Sequence, residues 1–280
     1  SCVKEGPLCI RKVCIMRDYI TKRILCTIPL LLCISFICFC FISLIPSDPA
    51  EVALRVRQVP VITPEAVEEV RRELGLDKPF LIRYADWVIS CLHGDFGISY
   101  TNPSRTVAGE LLRCMPATLL LAGASFVLVI FLSIPIGFFC AVYKDSWFDK
   151  IMRAFIFMTT AMPAYWIGLL LMWFVSIKLD LLPTSGNAGI KHLILPAVTV
   201  SLTYISTYIR LIRNNMLENM KQDYVLYANV RGPPHRLILT KHILRNSMHT
   251  CFFAFDMCIP QLIADTIVVV DAFTWPGLVT

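Results

Sequence analysis

Five long apolar runs alternate with polar stretches along the chain. Residues 24–45 and 117–143 contain no charged side chain, residues 154–177 contain none either but include Pro163, and residues 193–209 carry Pro196 near their start. The fifth, residues 250–270, is interrupted by Asp256, Pro260, Gln261 and Asp265. A hydrocarbon core of roughly 30 Å takes about 20 helical residues, so this pattern predicts an all-α, polytopic bundle with five spans. Pro163 is expected to kink the third span without ending it, because neighbouring helices can re-satisfy the carbonyl it frees.

Between the first two runs the pattern changes to short amphipathic segments. In TPEAVEEVRRELG, residues 63–75, Thr63 is placed to cap a helix, Pro64 suits its first turn, Glu65 complements the dipole and Gly75 stops it. Val67, Val70 and Leu74 share one face. A second helix is expected over residues 80–92 with Leu81, Tyr84 and Val88 as its stripe, broken by Gly94 and Gly97. This loop reads as a folded cap on the membrane domain or as a docking surface for an extracytoplasmic partner.

Residues 223–246 read DYVLYANVRGPPHRLILTKHILRN. The fourth span is expected to run on as one helix to Val230, with Gly232 at its C-terminal cap, Pro233 and Pro234 preventing continuation, and a new helix from about His235. Tyr224, Val225 and Ala228 fall on one face, and small Ala228 and Gly232 permit close approach. Such a turn is either a shaped knob for a protein groove or a basic connector on lipid headgroups.

Charge orients the spans. Of 280 residues, 56% are hydrophobic and 16% charged, and the net charge is +6. Lys and Arg cluster before the first run (Lys4, Arg11, Lys12, Arg17, Lys22, Arg23), between the second and third, and between the fourth and fifth. Basic loops stay cytoplasmic, so the N-terminus and the 210–249 segment are expected inside the cell and the 46–116 and 178–192 loops outside. Because the basic residues abut the spans, their expected neighbour is the anionic inner leaflet of the bilayer and not nucleic acid. MRDYITKRIL places a plausible start at Met16, with residues 1–15 read as upstream material or a poorly ordered tail.

The candidate chemistry is sparse. Most of the 12 cysteines lie in apolar runs, where they serve as small hydrophobes, and Cys91 and Cys114 are the pair on the expected outside. No phosphate-binding G-x-x-x-x-G-K-[ST] loop, H-E-x-x-H or G-x-S-x-G occurs, so no catalytic or metal centre is expected in this chain and ATP has to be bound by a partner if it is used. Asp256 and Asp265, with Gln261 between them, stand within an apolar run, where an ionised carboxylate calls for a water-filled path or a partner. Nine residues separate the two carboxylates, so they lie about 180° apart on a straight helix unless Pro260 rotates it. Either one faces a cation pathway or they make interhelical contacts.

DYVLYANVRG followed by HILRN resembles the coupling loop of the inner-membrane permeases of ABC importers, in the branch that moves dipeptides, oligopeptides and nickel. LGLDKPF, RYADWV, GDFGISY, PATLLLA, MPAYWIG, LLPTSG, ILPAV and FTWPGL follow the same order, from about Met16 to the C-terminus. The LPTSG loop and the DYVLY spelling are most similar to permeases for nickel or metal chelates, with peptide import and a non-transporting membrane receptor as alternatives. The resemblance divides the chain into a cytoplasmic segment (1–23), a first span (24–45), an extracytoplasmic helical loop (46–116) and a permease core (117–280) with its coupling loop. It implies multi-pass residence in the cell membrane, a second homologous permease, two cytoplasmic ATPases that hold ATP and Mg, and an extracytoplasmic binding protein. By the resemblance, Asp223, Tyr224, Ala228 and Gly232 would form the coupling knob; Asp256, Gln261 and Asp265 are candidates for the translocation path on their polarity within an apolar run, not on the resemblance. The family has a sixth span beyond the point where this sequence ends, so the last span is expected to be missing.

Overall fold

The computed structural model describes residues 7–44, 48–56, 63–97, 106–186 and 189–275; at residues 7–17 and 271 the description is of the backbone alone. The described residues are almost all helical and divide into two compact units, Ser1–Gly109 and Glu110–Thr280. Among the described residues, four helices are long and apolar enough to cross a membrane, or five if one bent pair forms a span.

The first unit contains α1 (Pro7–Leu44), α2 (Pro49–Val56), α3 (Pro64–Glu73) and α4 (Phe80–Leu92). Residues 7–15, expected as upstream material or a tail, are helical and continuous with the first span, whose expected last residue, 45, lies outside the described residues. Thr63 caps α3 as the sequence implies, its hydroxyl accepting from the Ala66 N–H at 3.3 Å, and Gly75 closes the segment at φ +63°. Val70, flanked by Val67 and Leu74, packs on Ala50, Ala53 and Leu54 of α2. Helix α2 itself was not expected, although Asp48, Pro49 and Glu51 spell a helix start: the Asp48 carboxylate accepts from the Ala50 N–H at 3.0 Å and pairs with Arg71 of α3. The stripe of α4 is corrected. Phe80 and Trp87 join the expected Tyr84 in facing α1, whereas Leu81 is exposed, because Phe36 and Phe39 offer aromatic edges there, at 5.0 Å for Phe36 to Tyr84 and 5.3 Å for Phe39 to Phe80.

In the second unit, α5 (Val107–Val142), α6 (Trp147–Ala161), α7 (Ala164–Leu171, continued as a π-helix over Met172–Lys178) and α8 (Ile190–Asn219) lead to α9 (Asp223–Val230). Then α10 (His235–Leu237) passes through a π-helical segment (Ile238–Leu244) into α11 (Arg245–Phe273). Helix α8 is central: it packs against α11, α7 and α6, and Ile209, Ile212 and Met216 are fully buried. Gly137 of α5 lets α8 approach, since a Cβ there would stand 2.9 Å from Ile212 Cβ.

Pro163 does more than kink the third span. It ends α6 at Ala161 and starts α7 at Ala164, with a bend of 108°. A proline pushes its predecessor out of the α region, and Met162 is extended at φ −103°, ψ 138°. The helix expected from about His235 starts there and runs on through the fifth apolar run, residues 250–270, so that His235–Val270 forms one apolar helical passage through Pro260.

Candidate functional site

The segment with the glycine and two prolines folds as a braced turn. Helix α8 stops at Asn219, and Met220–Gln222 form a tight turn before α9, so the single long helix expected here is replaced by two. Asn219 is the reason. Its amide donates to the Asn215 carbonyl at 2.8 Å and to Ser247 Oγ of α11 at 3.1 Å, while its Oδ1 accepts the Tyr224 hydroxyl of α9 at 3.1 Å. Ser247 is fully buried, and its hydroxyl donates to the Ile243 carbonyl in the π-helical segment at 2.8 Å. One side chain thus joins α8, α9 and α11.

Val225 is buried, and Tyr224 and Ala228 beside it pack on the main core, the face read from the sequence. Asp223 is exposed at the first turn. Gly232 acts differently from expectation: nothing lies within 4 Å of a Cβ built on it, so close approach is not its role. Its φ of +81° is the left-handed conformation that ends α9 and lets Pro234 start α10. Opposite the inward face, Leu226, Tyr227 and Val230 are 64%, 69% and 81% exposed. The sequence reading passed over these three, although their spacing of one, three and four residues places them on one helical side. Arg231, at the end of α9, and Arg236, Lys241 and Arg245, along the following helical segments, are also exposed.

A second brace sits at the start of α6. Ser146 caps the helix by accepting from the Asp149 N–H at 3.3 Å, and the buried Asp149 carboxylate accepts the Asp145 N–H at 3.0 Å and a forked pair of bonds from Arg213 of α8. Arg213 lies six residues before Asn219 on the same helix, so both braces converge on the end of α8 next to the knob.

On α11 the buried stripe runs through Cys251, Phe255, Cys258, Leu262, Thr266 and Val269. Asp256 and Asp265 occupy opposite flanks of it and are exposed, as is Gln261. Asp265 accepts the Tyr204 hydroxyl of α8 at 2.7 Å. The structure therefore does not bring the two carboxylates together, and Pro260 does not rotate them onto one face. Cys91 and Cys114 are free thiols.

Residues 133–280 match the protein family described as "Binding-protein-dependent transport system inner membrane component", and residues 16–122 match the family described as "Binding-prot-dependent transport system membrane comp, N-term". Among curated proteins, the chain is 34% identical to the metal-staphylopine import system permease protein CntB of Staphylococcus aureus over 263 residues, covering 94% of this chain and 84% of that one. It is 33% identical to the oligopeptide transport system permease protein AppB of Bacillus subtilis, over 94% of this chain and 85% of the relative. It is 32% identical to the glutathione transport system permease protein GsiC of Salmonella typhimurium, at 94% and 84% coverage.

Proposed function

Because this chain belongs to the family of binding-protein-dependent transport system inner membrane components, and so is a permease subunit of an ABC importer, we propose that its cargo is nickel or a metal chelate delivered by an extracytoplasmic binding protein. The observation that carries the coupling half of this reading is the bracing of α9: an exposed apolar tip held by Tyr224, Val225 and Ala228 and wired through Asn219 to α8 and α11. A cytoplasmic ATPase partner receives Leu226, Tyr227 and Val230 in a cleft, with Asp223 at the edge of the contact and Gly232 shaping the turn behind it. The ATP and Mg belong to a pair of such ATPases, and a second homologous permease completes the membrane pathway.

The N-terminus and the knob face the cytoplasm, a reading supported by the distribution of Lys and Arg. Closure of the ATPase pair pushes the knob, and Asn219 passes the displacement to α8 and α11 together. The cycle runs in one direction only insofar as ATP and loaded binding protein bind the two permease states with different affinity. The proline break between α6 and α7 supplies a ready bending site.

The chelate cargo is supported by the metal-staphylopine relative and by the polar groups Asp256, Gln261 and Asp265 within an apolar passage, where carboxylates need water or a counter-charge. The Asp265 flank, continued by Tyr204, is the better wall for a path than the Asp256 flank, because the Tyr204 hydroxyl fixes the carboxylate. Oligopeptide and glutathione relatives of similar identity make peptide cargo the second reading.

Uptake of radioactive nickel, free and chelated, in cells expressing this chain with its partner subunits tests the assignment, with excess unlabelled dipeptide as competitor. ATP-dependent nickel entry that dipeptide leaves unchanged supports the chelate reading. Entry of labelled dipeptide without nickel moves the assignment to peptide. Unchanged nickel uptake by Asp265→Asn removes this residue from the path.

A further inference from the structure

Helix α4 is apolar around nearly its whole circumference. At about 100° per residue, Phe80, Tyr84 and Trp87 form one side and Leu81, Ile82, Ile89 and Leu92 the other, leaving Arg83, Asp86 and Ser90 as a narrow polar seam. A soluble cap helix shows one apolar stripe; a helix apolar on both sides is enclosed in protein or lies in lipid. The first side is occupied by α1. The second side is open, with Leu81 67%, Ile82 49%, Ile89 54% and Leu92 81% exposed.

The depth of the contact with α1 says what covers the open side. The Tyr84 hydroxyl donates to the Leu32 carbonyl at 2.9 Å and lies 2.8 Å from Ser35 Oγ. The apolar span of α1 is Asp18–Leu44, 27 residues, so Leu32 is close to its midpoint and about 18 Å along the helix from Leu44. A helix resting above the headgroups cannot place a tyrosine there. The exposed side of α4 is thus continuous with the exposed apolar surface of α1.

The seam fits the same placement. Arg83 and the Lys78–Asp86 ion pair, at 2.7 Å, line a cleft of about 360 Å³ that also takes in Ile42 and Ser43 from the last turn of α1. The charges of the segment therefore sit at the end of the span, where phosphates and water are found, and Arg83 lies over the Phe80 ring at 6.0 Å. We propose that α4 is seated within the lipid leaflet at the Leu44 end of α1. Leu81, Ile82, Ile89 and Leu92 rest on acyl chains, and Arg83 and Lys78 lie at the level of the phosphates. The helix is a membrane anchor for its unit, and its outer face is unavailable to a soluble binding protein.

A diazirine-bearing amino acid placed at Leu81 or at Ile89 of the full chain in cell membranes tests this directly, with Glu69 of α3 as the water-facing control. Phospholipid adducts are expected at both positions, at least about tenfold more frequent than at Glu69, since the carbene reports whatever fills the adjacent layer. A water-derived product, or a cross-link to the binding protein or to a second permease as the main product, overturns the proposal. If the labels disturb assembly, Trp87 gives an independent reading: lipids brominated on the acyl chains should quench the fluorescence that Trp87→Phe removes. Failure to quench it likewise overturns the proposal.

Discussion

Arg213 holds Asp149 by two parallel hydrogen bonds, Nε to Oδ1 at 2.7 Å and Nη2 to Oδ2 at 2.8 Å, across 64 positions of sequence. The carboxylate is fully buried, so the arginine is its main charge compensation, with Arg153 at 3.6 Å adding a weaker contact. Arg213→Ala leaves that charge in place with the fork gone and should cost about 3–5 kcal/mol. Arg213→Lys keeps the charge without the planar fork and should recover only part of the loss. Thermal unfolding of the purified protein reads both, and a lysine variant as stable as the parent would show that charge alone is at work.

On the outward face of α9, Leu226, Tyr227 and Val230 are mostly exposed. Leu226→Asp and Tyr227→Asp should therefore leave unfolding within about 0.5 kcal/mol of the parent. Uptake and co-purification of the ATPase should both fall to background. Tyr224→Phe, which removes the bond to Asn219, should keep the ATPase bound and lower transport per ATP hydrolysed, because the tip remains and its linkage to α8 is weakened. Co-purification that survives both aspartate variants would place the ATPase contact elsewhere.

Gly137 and Ile212 set the distance between α5 and α8. Gly137→Ala puts a methyl 2.9 Å from Ile212 Cβ and 3.2 Å from the Ile209 carbonyl, atoms near a backbone that cannot swing aside. The variant should lose about 1–3 kcal/mol from overpacking. The compensating pair Gly137→Ala with Ile212→Ala should regain part of it, as thermal unfolding of the single and double variants would reveal.

Asp48 gives the first unit an acid-dependent contact. The Arg71 guanidinium, and then the Ala50 N–H, hold its carboxyl below the usual carboxylate range. A depressed folded-state value means that the stabilisation is present above about pH 3.9, the unfolded value, and is lost as pH falls through the lower folded one. Both side chains are partly exposed, so screening keeps the effect under about 1 kcal/mol. Pepsin cleavage within residues 49–73 should rise between about pH 4 and pH 2 in the parent relative to Asp48→Asn, in which the rise attributable to this contact is gone. Equal profiles for the two proteins would remove the pair from the account.

Local signals were legible where the partners are neighbours. Thr63, Pro64 and Gly75 delimit α3 because cap, first turn and stop act within a few residues, and the inward face of α9 follows from the 3.6-residue period alone. Helix α2 was spelled by Asp48 and Pro49 and was missed in a loop read for longer periodicity. Pro163 was ambiguous in principle: the same residue either bends or breaks a helix, and the packing of Gly168 against Thr199 and Phe273 favours the broken path here.

The sequence by itself determined the all-α class, the position of the long apolar runs and the family, because span length, charge placement and cap chemistry are properties of contiguous residues. Tertiary structure decided what those residues face. It separated Asp256 from Asp265, turned Leu226, Tyr227 and Val230 outward, cut α8 at Asn219 through a bond to Ser247, and lowered α4 along α1 until Tyr84 met Leu32. The physical reason is the same in each case: a hydrogen-bond partner or a packing surface supplied by a distant helix selects among faces that the local period leaves equivalent.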